Sequence, residues 1–207
     1  MRKNIIILFA LLSVVLTGCW NEPEYIDVIR LGARNKTIAL ETTEYGDSAF
    51  YLISNVDYKL DVVSGEDWVT IVEANADSIA FSYPSNNGFR RSAEIVISFG
   101  TRVDHLKVLQ PGKYEMNMEL SESRIEVPAE GGSYSVDLLT NVLQRDLEVE
   151  VSNANVCRNI VLENNRLSFD VAPATSRDTK TYTITVYTVD GWGKKVEAVL
   201  SVIQKSK

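Results

Sequence analysis

An all-β fold of two tandem sandwiches is what this 207-residue chain predicts, and three observations predict it. Apolar and polar residues alternate: Tyr58, Leu60 and Val62 with Lys59 and Asp61, Tyr134, Val136 and Leu138 with Ser133, Ser135 and Asp137, and Tyr182, Ile184 and Val186 with Thr181, Thr183 and Thr185. A period of two buries one face of a strand and wets the other. The breaks are turn-formers, Ser64-Gly65, Asn86-Asn87-Gly88, Gly131-Gly132 and Asp190-Gly191, and no window of helical length carries an apolar stripe. The third observation is an internal repeat, which splits the strands into two sets.

The first eighteen residues stand apart from that pattern. Met1-Arg2-Lys3 supplies two cations and Ile5 to Leu16 an apolar run broken only by Ser13, the layout of a secretory signal. The run is shorter than the about 20 residues that cross a bilayer as a helix. Leu16-Thr17-Gly18-Cys19 resembles the bacterial lipobox, which implies cleavage after residue 18, acylation of Cys19 and stable membrane attachment through that lipid. Trp20-Asn21-Glu22-Pro23-Glu24 resembles the acidic export signal of Bacteroidetes surface lipoproteins, implying the outer membrane and its outer face. Residues 19–35 then read as a tether.

From Lys36 the repeat takes over. Phe50-Tyr51-Leu52-Ile53-Ser54-Asn55-Val56 lines up with Val136-Asp137-Leu138-Leu139-Thr140-Asn141-Val142, and Ile79-Ala80-Phe81 with Leu167-Ser168-Phe169. Arg91 to Ile97 lines up with Lys180 to Val186, and Leu106 to Gln110 with Leu200 to Gln204, so the offset climbs from 86 to 94 along the chain. A rising offset means that loops lengthened between strands of fixed length. Two domains follow, 36–112 and 113–207, joined near Pro111 to Glu115. About seven short strands per copy, with a turn every ten or so residues, fit an immunoglobulin-like sandwich rather than a barrel. With Cys19 lipidated, Cys157 has no disulfide partner and reads as a small buried hydrophobe.

The first copy resembles the BACON domain, a Bacteroidetes module found in surface glycan-handling proteins. The residues that carry the likeness are Ser54-Asn55 before the strand led by Tyr58, the Asp67-Trp68-Val69-Thr70-Ile71 segment, Asn86 through Ile97, and the closing Val108-Leu109-Gln110-Pro111-Gly112. Tyr58 stands where the family usually has Trp. The second copy keeps Gly131-Gly132-Ser133-Tyr134, Thr140-Asn141 and Val202-Ile203-Gln204, but Val156 replaces Trp68. The resemblance implies carbohydrate binding in general and transfers no sugar-binding residue.

Composition narrows the chemistry. Twenty-eight acidic residues face 21 basic ones, and loss of Arg2 and Lys3 with the signal makes the mature chain more acidic than the net −7 of the whole, which disfavours nucleic acid as a partner. His105 is the single histidine and falls on a strand face opposite Leu106 and Val108, so no Cys/His dyad or zinc set can be assembled. Asp57, Asp61, Glu66 and Asp67 sit on an outer strand face and in a turn, where solvation explains them. The chain is therefore read as no enzyme, with no cofactor and no metal.

Aromatic side chains remain. Trp68 heads a strand and belongs in the core. Trp192, in the glycine-flanked tip Val189-Asp190-Gly191-Trp192-Gly193-Lys194-Lys195, is the first candidate for ligand contact, either an exposed ring or one folded back on its own sheet. Phe89, between Asn87-Gly88 and Arg90-Arg91, is the second. Asp47-Ser48-Ala49 and Asp77-Ser78-Ile79 resemble Bacteroidetes O-glycosylation sequons. Two functions stay open: glycan binding through loop aromatics, or a spacer or docking partner within an outer-membrane protein complex.

Overall fold

The computed structural model describes residues 28–206 and holds sixteen strands and one 3-10 turn, at Gln144–Asp146. The signal segment, Cys19 and residues 20–27 lie outside the described residues. The first eight strands are β1 Leu31–Ala33, β2 Thr37–Ala39, β3 Gly46–Ser54, β4 Lys59–Ser64, β5 Thr70–Ala74, β6 Ser78–Tyr83, β7 Arg91–Phe99 and β8 Arg102–Gln110. The second eight are β9 Met118–Leu120, β10 Arg124–Val127, β11 Gly132–Thr140, β12 Glu148–Val151, β13 Cys157–Glu163, β14 Arg166–Val171, β15 Lys180–Val189 and β16 Lys195–Gln204.

Each set of eight makes two four-stranded sheets. In the first, β1-β3-β6-β5 faces β2-β8-β7-β4; in the second, β9-β11-β14-β13 faces β10-β16-β15-β12. The two orders are the same order, down to the parallel edge pairs β2–β8 and β10–β16. The protein is thus two tandem immunoglobulin-like sandwiches, with eight strands in each rather than seven.

Alternation decides what each sheet buries. Phe50 and Leu52 on β3, Ile79 and Phe81 on β6, Ala93, Ile95 and Ile97 on β7, and Leu106 and Val108 on β8 close the first core around Trp68. Val136 and Leu138, Leu167 and Phe169, Ile184 and Val186, and Leu200 and Val202 do the same in the second, where Cys157 is buried as a small apolar group. Each fully enclosed side chain contributes about 1.5–3 kcal/mol by leaving water.

One boundary moves. β1 falls within the stretch read as a tether, and Leu31-Gly32-Ala33 pairs with Leu52, Ile53 and Ser54 of β3. Leu31 and Ala33 pack on the first core, and buried Asp104 accepts the Ala33 N–H at 3.2 Å while pairing with Lys36. Three residues are too few to display an alternation, so a strand of that length leaves no trace in the sequence pattern.

The glutamines that close each repeat share a task. Gln110 is fully buried and donates to the Pro84 carbonyl at 3.1 Å; Gln204 donates to the Ala172 carbonyl at 2.7 Å. In both copies the last strand of one sheet is thereby tied to the chain leaving β6 or β14 in the other. Removing the donor strands a carbonyl from water, so Gln204→Leu should lower stability by about 1–3 kcal/mol, read as a shift in the urea unfolding midpoint at unchanged slope.

Candidate functional site

Three segments converge where the sandwiches meet: the loop from Pro84 to Arg90, the linker from Pro111 to Asn117, and the β15–β16 tip from Asp190 to Lys194. Asn86 organises the first two. Its buried side chain donates to the Phe89 carbonyl at 2.7 Å and the Pro111 carbonyl at 3.0 Å, and accepts from the Gly88 N–H at 3.1 Å. Gly112 lies so close that a Cβ there would sit 2.3 Å from the backbone of Phe89 and Arg90. Tyr114 adds an N–H bond to the Gly88 carbonyl at 3.2 Å.

The tip comes in from the other sandwich. Asp190 holds it in shape, with Oδ1 accepting the N–H groups of Trp192 and Lys194, both at 2.9 Å. Oδ2 accepts from Arg90 Nε at 2.6 Å and also pairs with the Nη2 of the same guanidinium. Gly191 touches the first sandwich directly, since a Cβ on it would meet the Arg90 carbonyl oxygen at 2.4 Å and the Arg91 Cα at 2.6 Å. Only a residue without a side chain allows that approach.

Trp192 is neither freely exposed nor folded back on its own sheet. Its indole Nε1–H donates to the Arg91 carbonyl at 3.2 Å, and the Arg90 guanidinium lies 5.2 Å from its ring centroid. The neighbouring Arg91 lies over Trp68 at 4.3 Å, so consecutive arginines cover one tryptophan from each sandwich. An arginine on an aromatic face contributes about 0.5–2 kcal/mol, depending on how dry the pair is.

Burial raises the Asp190 carboxyl, but the N–H groups of Lys194 and Trp192 and the Arg90 guanidinium outweigh it and hold the group below the usual carboxylate range. A carboxylate depressed in the folded state stabilises above its ordinary value, and that stabilisation fades as pH falls through the folded-state value. The link between the sandwiches should therefore be intact at neutral pH and weaken below about pH 4. The difference in unfolding midpoint between the protein and Asp190→Asn, followed from pH 7 to pH 3, should shrink over that interval.

Between the three segments lies a cleft of about 380 Å³. Phe89, Pro111, Tyr114, Met116, Trp192 and Val196 give it apolar walls, and Arg90, Glu115, Asp190, Lys194 and Lys195 give it polar ones. Other surface clefts are as large, up to about 520 Å³ between Val149 and Ile160, so what sets this one apart is its lining of aromatic rings beside charged groups. Phe89 and Trp192, singled out separately in the sequence and 103 positions apart, line the same cleft from opposite sandwiches.

The other sequence candidates lie elsewhere. Trp68 is core. His105 is exposed on β8 with Nδ1 2.5 Å from a Glu94 oxygen, and Asp57, Asp61, Glu66 and Asp67 join no cluster able to hold a metal among the described residues. Ser48 is half-buried on the core side of β3, while Ser78 opens β6 with its N–H on Asn75 Oδ1 at 2.9 Å. Sequence reasoning missed Asn86, Tyr114 and the Arg90–Asp190 pair.

No protein-family model matches the chain, and no curated protein does. Among solved structures, the titin I-band fragment I67–I69 aligns with TM-score 0.35 and 12% identity over 84% of this chain and 64% of that one, so the chain spans less than two thirds of the fragment. The titin Ig tandem A164–A165 aligns with TM-score 0.31 and 7% identity over 86% of this chain and 98% of that one. The endo-fucoidan hydrolase MfFcnA4 of glycoside hydrolase family 107 aligns with TM-score 0.33 and 10% identity over 91% of this chain and 30% of that one.

Proposed function

We propose that the protein is a non-catalytic, lipid-anchored binding protein of the bacterial cell surface, similar to BACON-domain lipoproteins, and that it takes glycan into the cleft between its sandwiches. The observation that supports this reading is the meeting of Phe89, Tyr114 and Trp192 around one cleft. Flat rings cover the apolar faces of sugar units while charged and polar groups at the walls take hydroxyls. Lipid attachment rests on the Leu16-Thr17-Gly18-Cys19 resemblance alone.

The test is calorimetric binding of the purified protein to a panel of polysaccharides, with Tyr114→Ala beside it. Tyr114 is 57% exposed and its bond to Gly88 uses only backbone, so the substitution leaves the fold in place. Trp192→Ala would confuse ligand contact with loss of the indole bond to Arg91. Binding that weakens at least about tenfold in Tyr114→Ala supports the cleft, a loss of about 1.4 kcal/mol. Binding that is unchanged in the variant, or absent from the protein, overturns it.

The contacts of Arg90, Asp190 and Trp192 favour a second reading, a stiff spacer or docking unit in an outer-membrane complex. That reading expects a rod of constant shape that binds no sugar.

A further inference from the structure

We propose that the outer face of the β1-β3-β6-β5 sheet is where two copies of this chain pair, sheet on sheet, about a two-fold axis; this does not rest on the glycan-binding reading above. The argument starts from the two sandwiches as controls for each other. Their strand orders match, so outward positions on β3 and β6 have counterparts on β11 and β14.

In the second sandwich that face is wetted by charge. Asp137 pairs with Arg166 opposite it, Arg166 donates to Ser135 Oγ at 2.7 Å, and Ser133 donates to Asp170 at 2.5 Å. The counterparts in the first sandwich are Tyr51 for Asp137, Ser78 for Arg166, and Ala49 and Ala80 for Ser135 and Ser168. Tyr51 is 66% exposed, Ile53 on the same side of β3 52%, and Val72, in the bulge opposite Ala80, 65%. Leu139 and Val161 are the apolar exceptions in the second sandwich. Large apolar side chains gathered on an outer face mark a contact surface.

Charge names the occupant. Arg34 extends β1 with its N–H on the Tyr51 carbonyl at 2.9 Å, and Glu73 lies on β5 opposite Ala80; both are exposed. β1 and β5 are the two edges of the sheet, about 14 Å apart, so these charges do not meet within one chain. Neither has an ion partner within 4.0 Å among the described residues. A two-fold axis parallel to the strands, between β3 and β6, lays β1 of one copy over β5 of the other and brings each Arg34 to the Glu73 of the other copy. Tyr51 then meets Ser78 and Ala49 meets Ala80, while Asp47, the remaining charge on this face of β3, lies over Ser82. Asp77 stays at the rim. Sheets packed face to face keep their strands within about 30° of each other, as this arrangement does.

The four strands cover roughly 400 Å² of sheet at about 3.4 Å per residue and about 4.8 Å between strands. With side chains and flanking loops a pair buries on the order of 1,000 Å², the size of a weak, reversible contact rather than of an obligate dimer.

The experiment is sedimentation velocity on the purified protein over a concentration series up to about 1 mM. Tyr51→Lys, Arg34→Glu, Glu73→Arg and the double variant Arg34→Glu/Glu73→Arg are run beside it. All three positions are exposed, so a melting temperature matched to the unmodified protein checks that each variant remains folded.

The expected result is a monomer that passes to a dimer as concentration rises, with dimerisation weakened at least about tenfold by Tyr51→Lys. Each single charge reversal should weaken it, and the double reversal should restore it. That restoration reports a contact between copies, because the strand order keeps the two charges apart within one chain. A protein that stays monomeric up to about 1 mM overturns the proposal and leaves the face to a partner of another kind. Association that Tyr51→Lys leaves unchanged overturns it too, since it would then run through another surface, such as the apolar run at 5–16. A double reversal no better than the single ones, or growth beyond a dimer, overturns the two-fold pairing.

Discussion

Asp190→Ala is expected to cost roughly 2–4 kcal/mol of stability, measured by equilibrium urea unfolding. The carboxylate has two roles at once. It caps the β15–β16 tip by accepting the Trp192 and Lys194 N–H groups, and it neutralises Arg90 of the other sandwich. Alanine leaves two backbone donors and a half-buried guanidinium without their acceptor. The value sits below that for a wholly enclosed pair because Arg90 keeps 31% of its side-chain surface in water and can rehydrate. Asp190→Asn should fall between the two, since an amide oxygen can still cap the tip but carries no charge for Arg90. A loss under about 0.5 kcal/mol for the alanine variant would mean that the pair does not join the sandwiches in solution.

Gly191→Val should separate the two sandwiches while leaving each folded. The atoms in the way are the Arg90 carbonyl oxygen and the Arg91 Cα, both backbone, so no rotamer change can make room. Overpacking of a tight contact costs about 1–3 kcal/mol, and the chain can escape it by opening the junction. Small-angle scattering should then show a broader distribution of lengths, and Trp192 fluorescence should shift to the red as the indole leaves Arg91. Gly193→Ala is the control. Gly193 has a positive φ of 83° but nothing within 4 Å of an added Cβ, so the variant should strain the tip by about 1 kcal/mol without parting the junction. A compact Gly191→Val variant would overturn this account.

The fold was legible because period-two alternation and turn residues carry most of what a sandwich needs, and the repeat supplied the pairing of equivalent strands. β3 and β11, β6 and β14, and β8 and β16 occupy matching places in the two orders, as the aligned segments implied. Edge strands of three residues, β1, β2 and β9, were not legible, since their place comes from long-range pairing rather than from local pattern. The cleft was half legible. Glycine-flanked turns pointed to Trp192 and Phe89 as loop-borne rings, but nothing local says that two loops over a hundred residues apart will meet. One signal did exist. The repeat offset jumps between β15 and β16, where five residues, Asp190 to Lys194, replace the Gly100-Thr101 turn between β7 and β8. That insertion is the segment that reaches the first sandwich. Tyr114 and Asn86 carried no comparable mark, because a buried loop asparagine and an exposed linker tyrosine read as ordinary turn and surface residues.

Two bodies fastened at one point can turn about it in any direction; a second fastening leaves a single axis, and a third off that axis leaves none. The linker welded at Gly112, the Asp190 carboxylate on Arg90 and the Trp192 indole on Arg91 are such fastenings. A force that parts the sandwiches must therefore break the Asp190–Arg90 pair and the Trp192–Arg91 bond before the linker alone carries the load.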